Sequence, residues 1–293
     1  MTDFANQLFG GSWTEEKLEI LKNYLDAYNT ALKDKPFRRV YIDAFAGTGY
    51  RQNPSTRYKG YDIFEEFTHD EPKEFLKGSA ALSLEATPAF DQYYFIESDL
   101  NKVAELEKLR ERIPDKVQKV EIIQSDANIF IREYCVKTDW RNTRAVLFLD
   151  PFATEVQWET IEAIARTQCI DVWILFPLMA INRLLAKDHT KAFYDCLNRF
   201  FGTEDWFERF YKTRVLEDIF GQSVESVYKA CDFNGIGEFY KERLKSIFSG
   251  VSEKPKIFYN RRDTPLFQFF FAAGNPRGAT IAVRIADHLL RKI

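Results

Sequence analysis

The chain has 293 residues, 45% of them hydrophobic and 16% aromatic, enough to build a large buried core in one domain or two. A formal net charge of -3 and a sequence pI of about 5.8 exclude a global positive field that would draw the molecule onto nucleic acid or an anionic membrane, though not a local basic patch. Cys135, Cys169, Cys196 and Cys231 are far apart with no C-x-x-C spacing, and His69, His189 and His288 are scattered, so neither a disulfide framework nor a metal site is expected. No signal peptide and no apolar run of membrane-spanning length is visible, which gives a cytoplasmic protein with reduced thiols and no membrane partner.

In chain order, Trp13–Leu32 carries Leu18, Leu21, Leu25, Tyr28 and Leu32 at helical steps, with Ser12 or Thr14 as candidate caps. Arg38–Asp43 is a β-rich run that breaks into the glycine loop Ala44–Gly49. The long polar segment 51–77 follows, either a recognition lid or a plain surface insertion, and it displaces the next helix to the stretch after Gly78. Gln92–Ile96 and Val120–Ile123 are further short strands, with a helix over Asn101–Arg112 between them. Ala145–Leu149 is wholly apolar, as at the centre of a parallel sheet, and Asp171–Phe176 is the next strand after a helix at Trp158–Arg166.

Strands alternating with helices predict a doubly wound α/β sheet of about seven strands. Residues 1–178 supply an N-terminal helix and the first five strands. Residues 179–250 lose the strand signal and read as a helical insertion. Residues 251–293 complete the sheet with a late antiparallel hairpin, Lys256–Tyr259 and Leu266–Ala272, and a C-terminal helix. Within the insertion, Phe239–Phe248 places Lys241, Arg243 and Lys245 among apolar residues. It reads first as an amphipathic helix with a solvated basic face and second as a nucleic-acid contact.

Asp43, Glu97, Asp126 and Asp150 stand at the ends of successive strands, where open α/β sheets bind ligands. Glu97 suits the paired hydroxyls of a ribose, and Asp126 an adenine amino group beside the Ala127 N–H. A nicotinamide dinucleotide needs G-x-G-x-x-G with an acid about twenty residues on. Here Gly47-Thr48-Gly49 has no third glycine, which weighs against that ligand, although the insertion inflates the spacing to Glu97. Asp43, before the glycines, would repel a pyrophosphate and attract an amino group, as S-adenosylmethionine carries.

At these residues the sequence resembles the class I S-adenosylmethionine-dependent methyltransferases. The resemblance makes DAFAGTG the glycine motif, with Asp43, Phe45, Ala46, Gly47 and Gly49 on the cofactor, Glu97 the ribose acid, and Asp126 and Ala127 the adenine motif. More narrowly, FGGSWTEEKLEIL, YIDAFAGTG, FIESD, LFLDPFATEVQWETIEAIA and FPLMAINRLL resemble the three-Cys-motif partner proteins, a methyltransferase-like bacterial family, which implies a protein partner encoded nearby.

Asp150-Pro151-Phe152-Ala153 is similar to the [D/N]-P-P-[Y/F] motif of enzymes that methylate exocyclic amino groups, and closer to the D-P-F-G motif of tRNA guanine-N2 methyltransferases. An aromatic amine is a poor nucleophile because its lone pair is delocalised. Hydrogen bonds to Asp150 and to the Pro151 carbonyl localise it, and Phe152 stacks on the planar acceptor. The competing reading makes Asp150 a helix cap and Phe152 a core residue. Asn182 and Arg183 line the same cleft or simply begin a helix. The sequence thus predicts a methyltransferase with S-adenosylmethionine as cofactor, acting on a nucleobase amine in RNA or DNA, with Arg261-Arg262 as a basic cluster. A small-molecule or protein methyltransferase and a methyltransferase-fold accessory protein are the alternatives. The oligomeric state is not legible.

Overall fold

The computed structural model describes residues 12–47, 78–185, 191–217, 223–260 and 262–292. Gly49, the insertion 51–77, His69, His189 and Arg261 lie outside them.

The first helix, α1 (Ser12–Leu32), buries Trp13, Leu21, Tyr24, Leu25 and Tyr28, and β1 (Arg38–Asp43) follows. A short α2 (Ser79–Ser83) leads to β2 (Gln92–Glu97), α3 (Leu100–Glu111), β3 (Val120–Gln124) and α4 (Ala127–Lys137). Then come β4 (Thr143–Leu149), α5 (Trp158–Thr167), β5 (Ile170–Phe176) and α6 (Leu178–Leu185). Their parallel pairing gives the order β3-β2-β1-β4-β5, with the chain reversing direction across the sheet between β1 and β4. Every residue of β5 is buried, as is all of β4 except Arg144, which matches their unbroken apolar sequences.

The segment predicted as wholly helical contains α7 (Lys191–Phe201), α8 (Trp206–Phe210) and α9 (Phe233–Lys245), but also an antiparallel ribbon, β6 (Tyr211–Glu217) with β7 (Ser223–Lys229). Alternation there is obscured because both faces of the ribbon are largely exposed, so no apolar face marks a strand. The sheet is completed by β8 (Gly250–Val251), β9 (Lys256–Tyr259) and β10 (Pro265–Ala273), followed by α10 (Ala279–Lys292). β10 runs antiparallel to β5, and β8 and β9 pair with its far edge as one interrupted strand, which accounts for eight strands where about seven were predicted.

Two apolar layers cover the sheet. One side is packed by α4 to α9 around Trp158, Ile161, Phe176, Phe201 and Tyr240, the other by α1, α2 and α10 around Tyr24, Phe90, Trp173 and Phe271. The second layer is fixed by a buried polar contact at the start of β5. Asp171 accepts from the Tyr24 hydroxyl at 2.8 Å and from the Gly274 N–H at 3.1 Å, joining α1, β5 and the end of β10. Burial pushes the Asp171 pKa up to about 6 against the pull of those two donors.

Removing the Tyr24 donor leaves a buried carboxylate oxygen unpaired. Tyr24→Phe should lower unfolding stability by about 1–3 kcal/mol in urea titrations. The loss should be greater at pH 8, where Asp171 is ionised, than at pH 5, where it is largely protonated.

Candidate active site

The carboxyl ends of parallel strands are where side chains leave the buried sheet together. Four adjacent strands place an acid there: Asp126 follows β3, Glu97 closes β2, Asp43 closes β1 and Asp150 follows β4. With strands about 4.8 Å apart, the row spans roughly 15 Å in that order.

Asp43 is fully buried. The bonds it accepts from the Tyr41 hydroxyl and the Phe45 N–H are both long, at 3.4 Å, and the Ser79 hydroxyl of α2 supplies another. Burial pushes its pKa up to about 7, and the neighbouring Asp150 carboxylate adds to the rise. Ser79, the Phe45 N–H and Lys17 oppose it. A buried carboxylate so weakly bonded favours a cation beside it.

The glycine loop is held between the two neighbouring strands. Ala44 N–H donates to Phe148 O at 3.1 Å and Ala46 N–H to Ile96 O at 3.0 Å. A Cβ on Gly47 would fall 2.1 Å from Glu97 Oε2 and 2.6 Å from Lys102 Cδ, so only glycine fits. Phe45 is half-buried, Ala46 buried. Glu97 is 4% exposed and fixed by its own turn: Oε1 accepts from the N–H groups of Ser98 at 2.8 Å and Asp99 at 2.9 Å, while Oε2 faces the glycine loop. Asp126 has a second task that the sequence reading did not assign. Its Oδ1 caps α4 through the Ile129 N–H at 3.0 Å, leaving Oδ2 for a ligand beside the buried Ala127.

On the acceptor side, Asp150 caps no helix, since α5 begins at Trp158 with Gln157 in the cap position. The cap reading of Asp150 therefore fails. Phe152 is half-buried. The turn closes on itself, with the Phe152 N–H donating to Glu155 Oε2 at 3.2 Å. Ala153 has φ 51°, the left-handed region that favours glycine. Buried Asn128 ties the turn to α4. It donates to Glu155 O and accepts from the Gln157 N–H and the Thr160 hydroxyl, each at 2.9 Å.

The residue that sequence reasoning missed is Lys17. It reaches from α1 to Asp150 Oδ2 at 2.6 Å, with its side chain 6% exposed and that of Asp150 29%. Its ammonium lies 5.2 Å from the Trp13 ring centroid and 5.9 Å from that of Phe148. The available signal was a lysine four residues after Trp13 and four before Leu21, within the apolar stripe of the helix.

Other candidates turn out to be engaged elsewhere. Lys229 donates to the Asn182 side chain. Lys241 pairs with Glu238 and Lys245 with Glu253, while Arg243 lies 4.4 Å from the Trp158 ring centroid, so the basic face of α9 serves internal packing.

The strand order with its parallel β1 to β5 and the reversed β10 define a Rossmann-like α/β fold. A Legionella pneumophila protein of the DUF519 family superposes with a TM-score of 0.50 at 12% identity, over 92% of this chain and 90% of that one. The putative Escherichia coli methyltransferase yhhF gives 0.31 at 15% identity, over 70% of this chain and 84% of that one. Magnesium protoporphyrin IX methyltransferase from Synechocystis, solved with bound SAH, gives 0.38 at 10%, over 93% and 88%. The first of these is a likeness of fold alone, and the other two are looser. No family model and no curated protein matches the chain in sequence, so the resemblance to three-Cys-motif partner proteins rests on its motifs. No helix among the described residues is long and apolar enough to cross a membrane.

With its pKa raised to about 7, folded Asp43 retains a proton that the unfolded chain gives up near pH 4. Its contribution to stability therefore falls as pH rises from about 4 to 7. Asp43→Asn should melt above wild type at pH 8 and close to it at pH 5, by scanning calorimetry of the ligand-free protein.

Proposed function

We propose that the chain is an S-adenosylmethionine-dependent methyltransferase that acts on an exocyclic amino group of a nucleobase in RNA or DNA. The observation that carries this is the order of the acids along the sheet edge. Asp126, Glu97 and Asp43 follow one another on adjacent strands as adenine, ribose and amino acid follow one another along that cofactor, and Asp150 on the next strand flanks them for an acceptor that meets the sulfur-borne methyl. Asp126 Oδ2 and the Ala127 N–H receive the adenine edge, Glu97 Oε2 the ribose hydroxyls, and Asp43 the charged amino group. Gly47 lets the Glu97 carboxylate pack directly against the loop backbone. When bound, the cofactor supplies an electrophilic methyl group on a cationic sulfur.

Asp150 Oδ1, with no hydrogen-bond partner among the described residues, accepts from the substrate N–H, and the Pro151 carbonyl takes the other. Those two bonds favour a pyramidal nitrogen whose lone pair is localised and aimed at the methyl group, and Phe152 supports the ring face. A nucleic-acid substrate needs cations outside the pocket, and the ribbon offers them. By its register, Lys212 lies opposite Tyr228 and Arg214 opposite Ser226 on one face, and the Arg214 guanidinium lies 5.1 Å from the Tyr228 ring centroid. Tyr211 and Lys229, on the other face, anchor the ribbon to α6 through Leu185 O and Asn182, so the Lys212 and Arg214 face looks outward. Bases stack on such aromatic and guanidinium surfaces while cations meet phosphates.

The motifs shared with three-Cys-motif partner proteins favour one second reading, an accessory subunit that keeps this fold for a partner encoded nearby. Calorimetry and labelled-methyl transfer separate the two. Wild type should bind S-adenosylmethionine, and Gly47→Ala should bind at least about tenfold more weakly, because its Cβ has no room. Label should enter total RNA or DNA, with Asp150→Ala slower by roughly a hundredfold at saturating cofactor. Cofactor binding with no transfer to nucleic acid, protein or small molecules favours the accessory subunit, and no cofactor binding ends the enzyme reading. Reversing the ribbon charges with Lys212→Glu and Arg214→Glu should raise KM for nucleic acid and flatten its salt dependence while leaving cofactor affinity intact.

A further inference from the structure

We propose that Lys17 sets the charge preference of the acceptor pocket, so that the Lys17–Asp150 pair selects a neutral planar amino group over an alkylammonium. The inference rests on the acceptor role given above to Asp150. A bare carboxylate in a half-buried cleft attracts protonated alkylamines. Such a cation has no lone pair to methylate and would block the site. A nucleobase amine is neutral at pH 7 and still donates N–H bonds. Lys17 resolves this competition. Its ammonium holds Asp150 Oδ2 at 2.6 Å and makes the pair neutral overall, while Oδ1 stays open to accept an N–H. A second ammonium approaching Oδ1 would meet a like charge a few ångströms away in a poorly screened site.

The lysine cannot step aside easily. Its side chain is 6% exposed, the Trp13 and Phe148 ring centroids lie 5.2 and 5.9 Å from its ammonium, and leaving Asp150 would strand a buried charge. The turn of α1 that carries it is also pinned by Glu16, which pairs with Lys256 of β9. Lys17 thus acts through Asp150 as a positioning and specificity-determining residue, and it makes α1 part of the acceptor site.

The test uses protein saturated with S-adenosylhomocysteine, titrated with adenosine and with n-butylammonium by ligand-observed NMR. Wild type should bind adenosine and take up n-butylammonium at least tenfold more weakly, a readout that needs no variant. Lys17→Met, or Lys17→Gln if that variant folds poorly, should bind n-butylammonium at least tenfold more tightly than wild type and lose adenosine. Lys17→Arg should keep the wild-type preference, and adding Asp150→Asn to Lys17→Met should abolish the gained ammonium binding. A folded Lys17→Met or Lys17→Gln variant with the wild-type preference overturns the inference and leaves the methyltransferase reading standing. Wild type that binds S-adenosylhomocysteine but neither probe overturns the acceptor role of Asp150, and this inference with it.

Discussion

Withdrawing a single charge from water costs several kcal/mol unless it meets an opposite charge in good geometry. Lys17 and Asp150 meet that condition across 133 positions of sequence. Their contact fixes more than two side chains. It sets the height of α1 against the end of β4, and Glu16–Lys256 and Tyr24–Asp171 hold the same helix at two further points. The acceptor carboxylate is therefore positioned by a helix from the far end of the chain as well as by its own strand. The same pair acts on Asp43, whose carboxyl feels Asp150 as a repulsion and Lys17 as an attraction. Cofactor and acceptor sides share one electrostatic balance, and a change on one side is felt on the other.

Much of the fold was legible because its signals are strong and local. The apolar run of β4 and the Val, Ile and Trp of β5 admit little but buried parallel strands, and each ends on a residue that stops it. The β6–β7 ribbon was not legible for a physical reason. A strand declares itself by alternating apolar and polar residues when one face is buried, and here Lys212, Thr213, Arg214, Val215 and Leu216 are all exposed. The interrupted edge strand was half visible. β9 has the length of a strand, whereas β8 is two residues whose pairing with Ala272 and Ala273 is a tertiary fact.

The site was legible to a different degree at each residue. Asp43, Glu97 and Asp150 are named by position alone, since a carboxylate directly after a β-run must lie at the sheet edge. What those carboxylates already hold could not be read. Glu97 Oε1 is engaged by its own turn, Asp126 Oδ1 caps α4, and Asp150 Oδ2 belongs to Lys17. In each case one oxygen orients the group, and the other accepts no hydrogen bond from the described residues. That division of labour depends on rotamers, which sequence does not encode. Lys17 was visible only as an anomaly within an apolar stripe, and a snorkelling lysine gives the same pattern.

With an acidic overall balance, this chain could attract a polyanion only through a local basic patch. The basic residues of α9, which look most like a nucleic-acid surface in sequence, are held by Glu238, Glu253 and the Trp158 ring. The outward face of the ribbon presents Lys212 and Arg214 beside Tyr228, away from the body that its other face grips. Two separated tasks follow from this arrangement. On the proposed function, the ribbon would contribute long-range attraction that salt screens, and the Lys17–Asp150 pair short-range discrimination that salt reaches poorly. A neutral pocket is consistent with an external cationic arm. Drawing a polyanion inward by charge at the pocket itself would put unpaired cations beside a methyl group already carried on a cationic sulfur, where like charges weaken cofactor binding.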